Sequence, residues 1–400
     1  MKTACPKYHL TKDTLLKDLY RAYTDARRHK CSRAYQQRFE ARCGENLAEL
    51  CEELWTGEYQ PRPSSCFIIC APKQREVFAA DFRDRIVHHL YYNYVHEMLE
   101  RTFIQDSYSC IKGRGTHYGI RRLEHHIRQE SQNYQEPCYV MKLDIRGYFM
   151  HIDRQILLGI VCRDIQRMAG HQVSRHSAER WQDRVDVDFV LYLTRVIVLL
   201  NPLDGCRIVG SRSDWEGLPR DKCLFFSEAG KGLPIGNLTS QLFSNVYLNA
   251  FDQYMKRTLG CRHYGRYVDD AFVVSCDREW LKSLIPEVRR FLSSELGLTL
   301  HDGKLMIRDV RHGVEFLGAY LKPHRNYVSR PTLKRMTRKI ALLPSRPASQ
   351  QFASLNSFLG VLGHYKSYRV RCRLFLSRPE FTHHGYFTPW LRTYRLAPLL

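Results

Sequence analysis

Two short acidic stretches hold the residues of this chain best suited to chemistry. Tyr267-Val268-Asp269-Asp270 lies between the polar aromatic His263–Arg266 and the apolar Ala271–Val274, the pattern of a hairpin with two carboxylates at its tip. Aspartate pairs also occur in turns because the side chain bonds its own backbone. Asp144 ends the apolar run Tyr139–Leu143. An aspartate at the carboxyl end of a strand either closes a turn or faces a site. Two such strands side by side would bring Asp144, Asp269 and Asp270 within reach of one pair of divalent cations. Hard cations about 4 Å apart activate a 3′-hydroxyl and stabilise a leaving pyrophosphate during in-line phosphoryl transfer. Carboxylate oxygens suit Mg²⁺ in that role.

A third stretch, Lys231–Gln241, is a Gly/Pro loop running into a helix. Its glycines allow close approach of a base pair or nucleotide sugar. The bland alternative is an ordinary helix start capped by Asn237 or Thr239. The elements that must position these stretches alternate in type. Residues 10–55 read as helical, Cys66–Cys70 as a short strand, and 81–100 as a helix opening at Asp81. After the strand 139–143 a helix opens at Asp153 and another spans 186–200, followed by an irregular Gly/Pro/Trp stretch over 201–230. Helix is expected at 237–258, strand-turn-strand at 264–275, helix at 281–296 and short strands over 299–321. Pro331 opens a further helix with Leu333, Met336, Ile340 and Leu343 on one face. Phe352, Leu355, Phe358, Leu359 and Leu362 form the packing stripe of the next. The fold class expected is α+β.

The chain has 400 residues, 44% hydrophobic, and a mean hydropathy of −0.43. That composition excludes wholesale disorder and an integral membrane protein. The most apolar run, Phe189–Leu200, is interrupted by Thr194 and Arg195 and falls short of the roughly 20 residues a spanning helix needs. The first residues show no secretion signal. Lys and Arg exceed Asp and Glu by 62 to 41, a net charge of +21. With 12% aromatic residues and no lipid anchor, that balance points to nucleic-acid phosphates rather than a membrane. The 14 cysteines are scattered, and Cys66/Cys70 has no partner pair at zinc spacing, so reduced thiols and a cytoplasmic location are expected.

Together these stretches resemble the palm of a reverse transcriptase, in order and over roughly residues 60–370. Asp144–Phe149 resembles motif A, Gly232–Gln241 motif B, Tyr267–Asp270 motif C, Gly297–Lys304 motif D and Val314–Gly318 motif E. Pro72–Arg75 through Asp84-Arg85 resembles the fingers segment of group II intron-type enzymes. The resemblance implies a right-hand polymerase architecture. Residues 1–60 would be a helical extension, 61–135 fingers, 136–325 palm with an insertion at about 165–230, and 326–400 thumb and tail. It implies two Mg²⁺ ions, with Mn²⁺ a substitute, held by Asp144, Asp269, Asp270 and the carbonyl of Ile145. Phe149 falls at the steric gate against ribose, Lys73 and Arg75 at the triphosphate, and Lys304 where a lysine protonates pyrophosphate. Lys112 and Arg114 with Arg121-Arg122 form a basic, glycine-rich segment suited to the template backbone. Lys334, Arg335 and Arg338 are placed to follow the primer–template groove.

Most reverse transcriptases carry Gln before the motif B glycine; here Ile235 precedes Gly236, and Ser240-Gln241 ends the motif. This form, with the segment near 200–230, resembles the enzymes of diversity-generating retroelements. That resemblance implies error-prone copying of a template-repeat RNA, frequent errors at adenines, dNTPs, a DNA or RNA primer, a small accessory protein, and a bacterial or phage origin. A polar side chain at 235 would bond the nascent pair or its surroundings, whereas Ile offers shape alone and penalises a mispair less. The alternatives are a group II-like or phage-defence reverse transcriptase and, from another class, a non-catalytic RNA-binding or splicing scaffold. Neither an RNase H domain nor an endonuclease is expected.

Overall fold

The computed structural model describes residues 10–28, 33–70, 73–174 and 176–397; Pro72 of the fingers resemblance lies outside them. The helices are α1 (Lys12–Arg27), α2 (Ala34–Glu40), α3 (Cys43–Thr56), α4 (Phe82–Glu100), α5 (Thr116–Glu130), α6 (Tyr148–His151) and α7 (Arg154–Ala169). They continue with α8 (Val187–Leu199), α9 (Leu238–Gln253), α10 (Arg278–Leu296), α11 (Arg330–Ala341) and α12 (Ala348–Gly363). The strands are β1 (Ser65–Ile69), β2 (Arg75–Ala79), β3 (Tyr139–Asp144), β4 (Arg207–Ile208), β5 (Tyr264–Tyr267) and β6 (Asp270–Ser275). Then come β7 (Met306–Asp309), β8 (Val314–Phe316), β9 (Ala319–Lys322), β10 (Arg325–Val328), β11 (Gly385–Phe387) and β12 (Tyr394–Leu396). The class is α+β; each sheet contains antiparallel pairs, and β4 joins β1 in parallel.

Aspartates start three of the long helices by accepting the free amides of the first turn. Asp81 accepts from Arg83, Asp153 from Gln155 and Ile156, and Asp186 from Phe189. Ser329 does the same for α11, whose first turn carries Pro331. The expected helical stretch 10–55 is three helices, because the backbone leaves the helical region at Arg28 and again turns at Ala41–Arg42.

The chain forms two compact units. The first comprises Met1–Ile111, Asp144–Cys261 and Ile285–Gly303. In it α4 packs on α1, α8 and α9, burying Ile86, Leu90, Tyr91 and Val95. Its sheet is the β1–β2 antiparallel hairpin, with β4 added in parallel to the other edge of β1. The second unit comprises Lys112–Leu143, Arg262–Leu284 and Lys304–Leu400. Its main sheet has the order β5-β6-β3-β7, and α5 packs across β5 and β6 through Ile120, Leu123 and Ile127. A meander β8-β9-β10 follows. A separate core then joins Met336 and Ile340 of α11 to Leu355, Leu359 and Leu362 of α12.

Candidate functional site

The acidic turn belongs to the second unit. β5 and β6 pair as far as Tyr267 with Asp270, so Val268 and Asp269 are the two residues of the turn. Val268 has φ +55°, a left-handed backbone that a β-branched side chain rarely adopts. Arg266, 1% exposed, donates from a guanidinium nitrogen to the Val268 carbonyl at 2.9 Å and so ties the turn from beneath. Sequence reasoning missed Arg266; its signal is a cation placed inside an otherwise aromatic and apolar hairpin. Lys142 was missed too. It lies two residues before Asp144, on the same face of β3. Its Nζ is 3.5 Å from the Asp270 carboxylate and 5.9 Å from the centre of the Phe316 ring.

Asp144 and its followers belong to the first unit. The Asp144 carbonyl accepts from the His301 amide at 2.8 Å, the Arg146 amide donates to Thr299 at 2.9 Å, and Ile145 bridges Leu300. The half-exposed Asp144 side chain is thus carried on a paired, extended backbone. Gly147 then turns the chain at φ +51°, where a Cβ would lie 2.5 Å from the Asp221 carbonyl. The turn leads into α6, where Tyr148 is buried with its hydroxyl on the Ser244 carbonyl, and Phe149 is half-buried.

The Gly/Pro loop meets Phe149 and β2 in the same unit. Leu233 donates to the Phe149 carbonyl at 2.8 Å, and Gly232 to that of Ile152 at 2.8 Å. On its other side the Ile235 carbonyl accepts from Phe78 at 2.8 Å. Gly236 has φ +134°, and a Cβ there would stand 2.6 Å from the Phe78 carbonyl. Neither expected cap closes α9. Asn237 turns its oxygen to the Ala80 amide at 3.3 Å, and the Thr239 hydroxyl lies 2.8 Å from His88 Nδ1, because both side chains are spent on holding the loop against β2 and α4. Phe149 and Ile235 pack on one buried cluster of Cys66, Phe78, Met150 and Leu224. Arg75 opens β2 and is exposed, as are Lys73 and Gln241.

A buried carboxylate also missed by sequence reasoning fixes the irregular segment 201–230. Glu76, on β2, accepts from the Trp215 indole at 2.6 Å, the Leu224 amide at 2.6 Å and the Cys223 thiol at 3.1 Å. Gln74 donates to the carbonyls of Asp214 and Glu216.

The remaining candidates are in the second unit. Lys304 is an exposed residue of the turn Asp302–Lys304. Lys112 is exposed and Arg114 half-buried, in a turn with Gly113 and Gly115 at positive φ. From Thr116 that basic segment is helix, which the sequence reading had not placed, so Arg121 and Arg122 lie on α5. Lys334 and Arg338 are exposed on α11, and Arg335 is half-buried. Among the described residues no group of three or more His, Cys, Asp or Glu side chains is arranged to hold a metal. The donors offered by the acidic stretches are hard carboxylate oxygens. Mg²⁺ binds through one or two carboxylates together with substrate phosphates and water, so the donor chemistry fits that ion. No helix among the described residues is long and apolar enough to cross a membrane.

No family model matches the chain. It is similar to Protein YkfC of Escherichia coli (strain K12), 25% identical over 354 residues that cover 80% of this chain and 81% of YkfC. Among solved structures it is similar to an apo telomerase from Candida tropicalis truncated from its C-terminal domain. That match has TM-score 0.46 and 9% identity, over 70% of this chain and 59% of the telomerase. A second is telomerase from Candida albicans in complex with a fragment of telomeric RNA. It has TM-score 0.44 and 11% identity, over 79% of this chain and 55% of that one. The chain thus spans less than two thirds of the telomerase chains it matches.

Proposed function

We propose that this chain is an RNA-directed DNA polymerase of the diversity-generating type, making error-prone cDNA from a template RNA. The observation that carries the reading is the acidic turn: Asp269 and Asp270 are held out by a strained Val268 and a buried Arg266. Strain of this kind persists only where the surroundings over-determine it, and it collects at functional sites. The strand order supports the partner: β3, which ends at Asp144, neighbours β6, which opens at Asp270. Asp144, Asp269, Asp270 and the Ile145 carbonyl would hold Mg²⁺, which when bound activates the primer hydroxyl and neutralises the leaving pyrophosphate.

The chain's own residues supply the rest. Phe149 selects deoxyribose by collision. Lys73 and Arg75 hold the triphosphate, Arg75 with its forked donors. Lys304 gives a proton to the leaving pyrophosphate. Lys112, Arg114 and the exposed face of α11 follow the nucleic-acid backbone. Residues 61–135 would serve as fingers, 136–325 as palm and 326–400 as thumb. Ile235 contributes its carbonyl to the β2 contact and only shape to the nascent pair, so a mispair leaves no polar group of residue 235 unsatisfied. A small accessory protein with an acidic surface would complement the +21 charge.

The test is extension of a DNA primer on an adenine-containing RNA, with Mg²⁺ and sequencing of the product. Substitutions concentrated opposite adenine are expected, and Ile235→Gln is expected to reduce them without displacing the loop. Absence of any extended product would remove the reading. An error spectrum unchanged in Ile235→Gln would remove the role given to Ile235.

A further inference from the structure

Beyond that reading, we infer that the C-terminal segment after α12 carries a stacking platform for single-stranded nucleic acid, centred on Trp390 and Tyr368. Trp390 and Leu391 have consecutive left-handed backbones, at φ +62° and +53°. Glycine is the default in that region, and a non-glycine residue there is strained. The two side chains part. Leu391 is buried in the α11–α12 core, and its carbonyl accepts from Arg371 at 3.0 Å. Trp390 is sent outward and stays 67% exposed.

The Tyr368 ring stands 5.6 Å from the Trp390 ring and is 45% exposed itself. Arg325 of β10 donates to the Lys366 carbonyl, two residues before Tyr368, and lies over the exposed Tyr327 ring.

The charge identifies the occupant. Between His364 and Ala397 there are seven Lys or Arg residues and one acid, Glu380. Exposed aromatic faces among unopposed cations match a chain of phosphates with unstacked bases, because every base offers a π-face and every linkage a charge. A duplex keeps its bases stacked internally and cannot use the rings. The site needs neither the acidic turn nor dNTPs, so its failure and that of the polymerase reading are separable.

The test uses the full chain without nucleotides. A short single-stranded RNA carrying iodouridine, and its DNA counterpart, are titrated by fluorescence anisotropy and then photocrosslinked. Trp390→Ala is expected to weaken binding about tenfold, since stacking on one aromatic is typically worth 1–3 kcal/mol per base. Trp390→Phe should keep most of the affinity. Trp390→Gly, which relaxes the backbone, should lose it while remaining folded. Adducts are expected on peptides containing Trp390 or Tyr368. Loss for both strands assigns the contact to stacking, and loss for RNA alone assigns the site to the RNA strand. Unchanged affinity in Trp390→Gly, or adducts absent from both peptides, would overturn the inference.

Discussion

Val268 shows how one residue links backbone strain to the proposed chemistry. Its left-handed φ is held by the Arg266–Val268 hydrogen bond, and a valine pays for that conformation with about 1–3 kcal/mol. Val268→Gly is therefore expected to leave the melting temperature unchanged or raise it, while slowing primer extension because the acids lose their fixed placement. Thermal denaturation read beside extension rate checks this; a large fall in melting temperature with full activity would contradict it. The acids themselves were legible in the sequence, since an Asp pair between aromatic and apolar runs marks a hairpin tip. Arg266 and Lys142 were not legible. A cation's burial, or its contact with an acid 128 positions away as for Lys142 and Asp270, follows from the sheet and not from local pattern.

Among the elements, the Gly/Pro loop is the one whose placement depends on a single conformation. Gly236→Ala would put a Cβ against the Phe78 carbonyl and force a strained φ. We expect it to cost about 2 kcal/mol of stability and to lower dNTP incorporation, measured by urea denaturation and single-turnover extension. An unaffected variant would mean that the loop does not need β2.

Helix α4 carries a pH signature of its own. Burial raises the Asp84 carboxyl from 3.8 to about 6, so its contribution to stability is full below 3.8 and lost as pH rises through 6. Burial lowers His88 from 6.5 to about 4, so its contribution is full above 6.5 and lost as pH falls through 4. The two oppose each other between those limits. Asp84→Asn should therefore lose melting temperature more steeply than wild type on acidification from pH 6.5 to 4, the window set by the two groups. Parallel curves would contradict this.

Element starts were readable where Asp81 and Asp153 announce them. β2 was missed because Arg75–Ala79 mixes charges with apolar residues, and Glu76 owes its burial to the distant Trp215 and Cys223.

At the scale of the whole molecule, charge and class were readable from composition and from alternating strand and helix patterns. The division into two compact units was not, since each is assembled from three separated stretches of chain. The central claim is that Asp144, Asp269 and Asp270 serve a single nucleotidyl-transfer site. The most direct measurement is primer extension on an RNA template with Mg²⁺ by wild type, Asp144→Ala, and the double variant Asp269→Ala with Asp270→Ala. The account predicts that wild type extends the primer and that both variants lose extension while still binding the primer–template. A double variant that extends as fast as wild type would contradict it.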